Sequence, residues 1–566
     1  MLTPPDVGVL PEALQRSDGS SKFRARNSEL YSTRELLDAE ARLLEAVGAM
    51  DGPTAPAPAE PDVDEAVASG RTVLSFEQAA AVSAVVTSGR RLDLIVGAAG
   101  TGKSTTMAGV RAAWEAAYGA GSVIGLAPSA AAAEVLAEAV GVATENTAKW
   151  ISEHRRLPER CQELEAYDVR LARAYPSRAT RQLQKQAAAS SAAHGRWCLR
   201  RGELVIVDEA SMAATKDLDY ITTAAADAGA KVLLVGDWAQ LSPVQAGGAF
   251  KLLADARRGA PALHDVRRFQ NQWERAASLK LRAGRTSAAA TYLERGRVES
   301  GSREDIIDLI FDGWVTDVRA GRSSLMMAAD FETVRDLNAR ARSQRVAHGD
   351  VAPDGVRLAD GSTIGVGDVV VTRHNQRALV TGRGWVKNGD DWIVQAVRRD
   401  GSIRVQRPGG GGPALLPAGY VREHVELGYA TTAHRAQGRT VDTGHAYLTA
   451  ATARESLYVM ATRGRESNRL YVDTTYDPDV ATSHEDAAQA DPVEVLEGVI
   501  GTSGAELSAT ATRRAEEEVA YAEWRISAQG GAVLDAYRQR RITAGGHAEQ
   551  VRPDNDRRRT PDGPRL

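Results

Sequence analysis

The stretch that decides the fold is LDLIVGAAGTGKS, residues 92–104, in which an apolar run leads directly into a glycine-rich loop. The run LDLIV is typical of a buried parallel strand, and the residues after Ser104 have a helical pattern. A glycine-rich loop that joins a strand to a helix and ends in Gly-Lys-Ser is the P-loop pattern in its required context. The stretch therefore predicts an α/β domain that binds a nucleotide.

The residues of this loop each have a physical role in holding phosphates. Its glycines let backbone amides turn toward phosphate oxygens, and the helix that follows offers its positive end. Lys103 reaches the β- and γ-phosphates and serves catalysis, and Ser104 can ligate Mg²⁺, so the loop implies a nucleotide and Mg²⁺ as cofactors. The predicted binding residues of the loop are Gly97, Gly100, Thr101, Gly102, Lys103, Ser104 and Thr105.

Three further apolar runs alternate with helical segments downstream: SVIGLA (122–127), ELVIVD (203–208) and KVLLVGD (231–237). Such alternation predicts βαβ crossovers and a parallel sheet covered on both faces. The second run ends in two carboxylates, of which Asp208 is assigned to Mg²⁺ and Glu209 to the general base. The third run delivers Gln240 to the same carboxyl edge, where it is placed to touch the γ-phosphate.

The organisation of the chain follows from changes in this pattern. A second α/β segment follows the first, and it is interrupted by β-type sequence with turn signals at Asn388-Gly389 and Asp400-Gly401. The first segment is interrupted by a polar stretch in which Lys and Arg outnumber Asp and Glu. The predicted parts are a leader and linker (1–70), a first α/β domain (71–265) with an insertion at 150–201, a second (266–475) with an insertion at 347–417, and a helical and disordered tail (476–566).

Composition excludes several classes of protein. The 566 residues are 43% hydrophobic and 25% charged, which is ordinary for a soluble globular protein. No run is long and apolar enough for a membrane span, and the first residues lack a secretory signal, so we expect a cytoplasmic protein. Two cysteines without a metal-ligand spacing make a disulfide framework or a zinc site unexpected.

The net charge of -4 means that any surface for nucleic acid must be local. The basic insertion at 150–201 is a candidate for such a surface, although a solvated helical hairpin has the same residue types. Trp150 and Trp197 flank it and could stack on bases, but core packing is the favoured interpretation.

Eight ordered motifs give the chain a more specific resemblance. They are LSFEQ, GAAGTGKS, LAPSAAAAEVL, VIVDEAS, VGDWAQLSPV, HDVRRF, ATTAHRAQGRT and LYVMATRGR, within residues 70–475. In this order they resemble the motor of a superfamily 1 DNA helicase of the RecD-like branch, and in particular the helicase part of TraA/TraI-type conjugative relaxases. The resemblance implies two RecA-like domains with a small helical insertion in the first and a small β-barrel insertion in the second. It also implies ATP-dependent, 5′-to-3′ unwinding linked to conjugation.

The resemblance also implies roles for individual residues. Gln78 would recognise adenine, and Arg268, with Arg267 as the register alternative, and Arg463 would place positive charge at the γ-phosphate. The implied partners are single-stranded DNA and duplex DNA with a single-stranded tail. The implied DNA contacts are Pro128, Ser129, Thr147, Thr432, His434 and Gln437.

The chain departs from a complete conjugative relaxase in one respect. A relaxase needs a three-histidine metal site and a nucleophilic tyrosine, yet no histidine precedes His154 and none are spaced i, i+2. We therefore expect no nicking domain in this chain and no nucleophilic role for Tyr31, and a separate relaxase becomes a candidate partner. Three alternatives stay open: a repair or recombination helicase of the same branch, an ATP- and DNA-binding remnant without unwinding activity, and a P-loop kinase or signalling NTPase.

Overall fold

The computed structural model describes residues 1–3, 16–17, 29–58, 73–243, 247–382, 384–410, 412–475 and 490–521. Asp38–Ser508 form one compact unit, and Met1–Leu37 with Ala509–Leu566 form another. In the latter unit Leu2 N donates to Leu30 O (2.7 Å), and residues 509–521 are helical. Residues 4–15, 18–28 and 59–70 of the predicted leader and linker, and 476–489 and 522–566 of the predicted tail, lie outside the described residues.

A parallel sheet carries the P-loop sequence. Its strands are β1 (Leu92–Gly97), β2 (Val123–Ala127), β3 (Ala143–Asn146), β4 (Leu204–Val207), β5 (Lys231–Gly236) and β6 (Ala262–Leu263). They lie in the order β3-β2-β4-β5-β1-β6, and all pair in parallel. The four apolar runs of the sequence are β1, β2, β4 and β5, which confirms the predicted α/β fold. Strands β3 and β6 were not predicted, because the first is polar and the second has two residues.

Alternating side chains of this sheet feed two apolar cores on its opposite faces. Leu94 and Leu234 belong to one core, whereas Ile95 and Leu233 belong to the other. All four are fully buried, since successive side chains of a strand point to opposite faces and both faces are covered by helices. The carboxyl ends of the strands are therefore left as the edge at which a ligand can bind.

The helices of the first half of the chain include a long hairpin. They are α1 (Arg34–Gly48), α2 (Phe76–Thr87), α3 (Lys103–Tyr118), α4 (Ala130–Val140), α5 (Thr147–His154), α6 (Leu157–Ala172), α7 (Arg178–Trp197), α8 (Thr215–Ala228) and α9 (Ala249–Ala256). Helices α6 and α7 pack against each other within the predicted insertion. Trp150 and Trp197 are 2% and 7% exposed and belong to the apolar core, which confirms packing as their role.

A second parallel sheet follows. Its strands are β7 (Val298–Gly301), β8 (Ser324–Ala328), β18 (Ala430–Thr432), β19 (Val441–Leu448) and β20 (Gly464–Asp473), in the order β18-β8-β19-β20-β7. The helices of this half are α10 (Gln272–Arg282), α11 (Ser287–Glu294), α12 (Arg303–Arg319), α13 (Phe331–Ala347), α14 (Ala418–His424), α15 (Ala433–Ala436), α16 (Arg454–Met460) and α17 (Pro492–Gly501). The two parallel sheets confirm the predicted pair of RecA-like cores.

Antiparallel strands interrupt the second sheet, as the turn signals predicted. They are β9 (Val356–Arg357), β10 (Thr363–Ile364), β11 (Val369–Thr372), β12 (Gln376–Thr381), β13 (Gly384–Val386), β14 (Asp391–Val397), β15 (Ile403–Gln406), β16 (Pro413–Leu416) and β17 (Val425–Leu427). A five-stranded sheet has the order β16-β15-β14-β11-β17.

The two predicted hairpin turns of this insertion differ in outcome. Asp400-Gly401 joins β14 to its antiparallel neighbour β15, as expected. Asn388-Gly389 does not form a two-residue hairpin, because strands β12 and β13 lie between β11 and this turn, but the two predicted strands do pair antiparallel as β11 and β14. A two-residue turn signal specifies a local reversal of the chain, and strand pairing decides whether the two flanking strands become neighbours.

Candidate nucleotide and nucleic-acid site

The P-loop lies between β1 and α3, at the carboxyl end of a central strand. Gly100 and Gly102 have φ angles of 80°, which an L side chain rarely adopts. Thr101 Oγ1 donates to Ala98 O (2.9 Å), and Lys103 Nζ donates to Gly97 O (3.1 Å) across the loop. The loop is thus a closed backbone cradle at the N-terminus of a 16-residue helix, an arrangement that suits phosphate oxygens.

Gln78 lies against the same loop. Ser75 and Gln78 form a capping box at the start of α2, and Gln78 Nε2 donates to Thr101 O (3.3 Å). A Cβ on Gly102 would come within 2.4 Å of Gln78 Nε2, so the side chain lies directly over the loop. Adenine recognition by Gln78 stays a prediction, and its position beside the P-loop is compatible with that role.

Asp208 and Glu209 follow the end of β4. Glu209 has φ 49°, the sole positive value among the described non-glycine residues, and such strain is characteristic of functional positions. Glu209 N donates to Asp208 Oδ1 at 2.9 Å. Burial and the neighbouring Glu209 charge raise the pKa of Asp208, and Lys103 opposes the shift. A cation would relieve this crowding of carboxylates, so the oxygen donors of Asp208 and Ser104 fit Mg²⁺.

The structure distinguishes the two candidate arginines after β6. Arg267 Nε pairs with Asp265 Oδ2 (2.9 Å), and its side chain is 47% exposed. Arg268 lies on the P-loop, because a Cβ on Gly100 would fall 2.5 Å from Arg268 Cβ. Its Nη1 donates to Thr462 O of the second α/β segment (2.6 Å). Arg267 N donates to Gly100 O (2.8 Å), so the backbone of both arginines lies against the P-loop, and it is the Arg268 side chain that extends to the second α/β segment.

Arg463 is fully buried beside this arrangement. Its guanidinium donates to Val459 O (2.8 Å) and to Thr462 Oγ1 (2.8 Å). Burial and the Arg268 guanidinium lower the pKa of Arg463, whereas the Glu209 carboxylate acts in the opposite direction. Arg268 and Arg463 both hydrogen-bond to Thr462, the first to its carbonyl oxygen and the second to its hydroxyl, so the two guanidinium groups lie beside the same residue.

Gln240 and Gln437 follow elements of different sheets. Gln240 is 3% exposed and follows β5, where its N donates to Asp237 O (3.1 Å). Gln437 follows α15 of the second segment, and its Nε2 lies 3.4 Å from Glu209 Oε2. Sequence reasoning assigned Gln437 to DNA, and the structure places it in contact with the predicted general base.

The other predicted DNA contacts lie at the carboxyl ends of strands. Pro128 and Ser129 follow β2, and Ser129 Oγ caps α4 by accepting from Ala132 N (3.1 Å). Thr147 follows β3 and is buried, Thr432 ends β18 and is buried, and His434 is exposed. His434 and the two residues after β2 are thus placed to meet a ligand, whereas Thr147 and Thr432 offer little side-chain surface. Their roles toward DNA stay predictions.

Tyr458 is a site residue that sequence reasoning missed. Its hydroxyl accepts from Ala99 N of the P-loop (2.9 Å) and donates to Asp237 Oδ2 (3.0 Å). Its presence within LYVMATRGR was the available signal, but a tyrosine in an apolar helix segment is indistinguishable from a core residue by pattern.

The described ranges contain neither a helix suited to crossing a membrane nor a group of three or more His, Cys, Asp or Glu side chains suited to holding a metal. Within them, Cys161 and Cys198 are free thiols.

One domain family and two conjugal transfer proteins are similar to parts of this chain. Residues 73–303 match the AAA domain family. The conjugal transfer protein TraA of Rhizobium radiobacter is 31% identical over 407 residues, 71% of this chain and 32% of that protein. A probable TraA of Sinorhizobium fredii is 30% identical over 452 residues, 78% of this chain and 36% of that protein. The chain thus spans about a third of the length of these relatives.

A solved helicase structure is also similar to this chain. The crystal structure of the Pif1 helicase from Bacteroides with ADP-AlF3 and single-stranded DNA is 16% identical and has a TM-score of 0.41. The match covers 72% of this chain and 94% of that chain.

Proposed function

We propose that this chain, which matches the AAA domain family over residues 73–303 and is similar to the TraA conjugal transfer proteins, is an ATP-hydrolysing motor that moves along single-stranded DNA. The observation that carries the proposal is the 3.4 Å contact between Gln437 Nε2 and Glu209 Oε2. It joins a motif implied to touch DNA to the predicted general base of hydrolysis. A nucleotide site shared by two α/β segments can couple hydrolysis to their relative movement.

The residues of the chain would divide the chemistry among them. The P-loop amides and Lys103 bind and orient the phosphates, and Ser104 and Asp208 hold Mg²⁺, which neutralises charge on the phosphate oxygens when bound. Glu209 orients the attacking water and accepts its proton. Arg268 and Arg463 supply positive charge where the transition state gathers negative charge.

The strand of DNA would lie across the carboxyl edges of the two sheets. Ser129 and His434 are at these edges, one on each sheet. Contacts with phosphates and stacked bases tolerate any sequence, which is what a translocating protein requires. The proposed polarity is 5′ to 3′, and the proposed substrate for unwinding is a duplex with a single-stranded tail.

ATP hydrolysis with and without single-stranded DNA is the first test. We expect DNA to stimulate hydrolysis by the wild type, Lys103→Ala to abolish it, and Glu209→Gln to slow it by at least about 100-fold while ATP still binds. Hydrolysis indifferent to DNA would contradict the motor. Unwinding of 5′-tailed but not 3′-tailed duplexes would support the polarity, and the reverse would contradict it.

We propose that the motor serves conjugative transfer, and the similarity to TraA proteins supports this pathway over repair. A mating assay in the native host separates the two. Loss of plasmid transfer in a Lys103→Ala strain with normal survival after DNA damage would support conjugation. Normal transfer with reduced survival would favour the repair or recombination alternative.

A further inference from the structure

Tyr458 joins helix α16 of the second segment to the P-loop of the first. Its hydroxyl accepts from Ala99 N at 2.9 Å and donates to Asp237 Oδ2 at 3.0 Å. The side chain is 1% exposed, and burial raises the pKa of the hydroxyl well above its ordinary value. The hydroxyl therefore stays protonated and can keep both hydrogen bonds at once, one as acceptor and one as donor.

Asp237, the partner of Tyr458, organises the turn that bears Gln240. One carboxylate oxygen, Oδ1, accepts from Ala239 N (3.3 Å), and the backbone carbonyl accepts from Gln240 N (3.1 Å). The side chain of Asp237 is fully buried. A change in the position of this carboxylate would therefore be transmitted to the turn and to Gln240.

Two residues of the second segment donate hydrogen bonds to this buried carboxylate. Arg282 Nε of helix α10 donates to Asp237 Oδ1 at 2.9 Å, and Tyr458 donates to Oδ2. Ala99 and Ala239 also pack in the same apolar core as Tyr458. If the two segments moved apart, Asp237 would lose both partners, and an unpaired buried carboxylate is unfavourable.

We propose that Tyr458 is a positioning residue for ATP hydrolysis. When the two segments are together, its hydroxyl holds the P-loop backbone at Ala99 and, through Asp237, the turn that carries Gln240. The nucleotide-binding loop and the γ-phosphate-facing turn thus take up their relative positions only with Tyr458 between them. The inference rests on the proposed ATPase function and adds a residue through which closure controls the chemical step.

Steady-state ATP hydrolysis by Tyr458→Phe tests the proposal, since this variant loses the hydroxyl and keeps the ring. We expect kcat to fall by about tenfold or more, the effect of misplacing catalytic groups. We expect KM for ATP and the affinity for ADP to change by less than about threefold, and trapping of ADP with aluminium fluoride to weaken with kcat.

Tyr292→Phe is the matched control. Tyr292 is equally buried in the same apolar core, and its hydroxyl has no hydrogen-bond partner among the described residues. We expect it to hydrolyse ATP at the wild-type rate. A Tyr458→Phe variant with wild-type kcat, or one in which KM rises while kcat is unchanged, would overturn the proposal.

A double-mutant cycle with Asp237→Asn separates positioning from general damage to the fold. If Tyr458 acts through Asp237, the double variant should be no slower than the slower single variant, whereas independent losses multiply. Multiplied losses would overturn the coupling, and the cycle can be read at reduced temperature if Tyr458→Phe lowers the melting temperature. Absence of hydrolysis by the wild type would instead refute the proposed function, so the two failures are distinguishable.

Discussion

At the scale of single residues, the site depends on backbone positions that side chains cannot occupy. Gly100 has φ 80°, and a Cβ there would lie 2.5 Å from Arg268 Cβ. The same glycine therefore permits both the loop conformation and the close approach of the predicted arginine finger.

The substitution Gly100→Ala should consequently slow ATP hydrolysis by at least about tenfold, because Arg268 has to move away from the loop. Gly121→Ala is the matched control, since Gly121 has φ 81° and nothing lies within 4 Å of a Cβ built on it. In each variant the left-handed backbone should lower the free energy of unfolding by about 1 kcal/mol, but only Gly100→Ala should lose activity. Equal rates of hydrolysis for the two variants would contradict the argument.

At the scale of elements, an ion-pair cluster holds the base of the helical hairpin. Glu153 of α5 pairs with Lys149 of the same helix and with Arg160 at the start of α6. Hydrogen bonds from Lys149 and Arg160 lower the pKa of Glu153 from 4.5 to about 2. The Arg160 side chain is 14% exposed and that of Lys149 is 39% exposed, so solvent screens the pair with Arg160 less than the pair with Lys149.

This shift predicts how the stability of the hairpin depends on pH. Because the pKa is lower in the folded state, the stabilisation is complete above pH 4.5 and is lost as the pH falls toward 2. Glu153→Gln should therefore lower the melting temperature at pH 7, with a difference from wild type less than half as large at pH 3.

Glu159→Gln provides the control for that measurement. Glu159 pairs with Arg156 at 3.7 Å, and its side chain is 72% exposed. An exposed pair of this kind contributes little to stability, so the melting temperature of Glu159→Gln should equal that of the wild type at both pH values. A difference for Glu153→Gln that is constant with pH would show that Glu153 acts by packing and not by charge.

At the scale of the whole Asp38–Ser508 unit, the antiparallel insertion is attached to the first parallel sheet by charge. Glu134 of α4 pairs with Lys387 Nζ (2.7 Å) and with Arg407 Nη1 (3.4 Å) of the insertion. Arg377 of the same insertion pairs with Glu145 of β3 (2.9 Å). An element inserted in the second sheet thus bridges to the sheet that carries the P-loop.

Removing Glu134 should weaken this bridge. Lys387 is 6% exposed at its side chain, so Glu134→Ala leaves a buried ammonium without this carboxylate and should cost about 2 kcal/mol. Glu138→Ala, an exposed position one turn further along α4, should cost little. Thermal melting together with limited proteolysis of the insertion checks both. Equal melting temperatures and equal cleavage of Glu134→Ala and Glu138→Ala would contradict a structural role for the bridge.

The sequence alone determined those features of this protein that depend on short stretches of neighbouring residues. Largely apolar runs of four to six residues predicted strands β1, β2, β4 and β5, because strands buried on both faces consist mostly of apolar residues. The two exceptions, Asp93 of β1 and Lys231 of β5, are buried and pair with each other. The P-loop was predictable because its glycines and Lys103 are required at fixed spacing. Strands β3 and β6 were not, since their pairing depends on neighbours and not on their own residues.

The tertiary structure alone decided which residues meet across the chain. Arg268 and Arg267 are adjacent and chemically identical, and only the path of the backbone between the sheets directs the Arg268 side chain to the second α/β segment. The contacts of Gln437 with Glu209 and of Tyr458 with Ala99 join residues separated by 228 and 359 positions. No local pattern encodes such pairs, because they form only when the two sheets pack against each other.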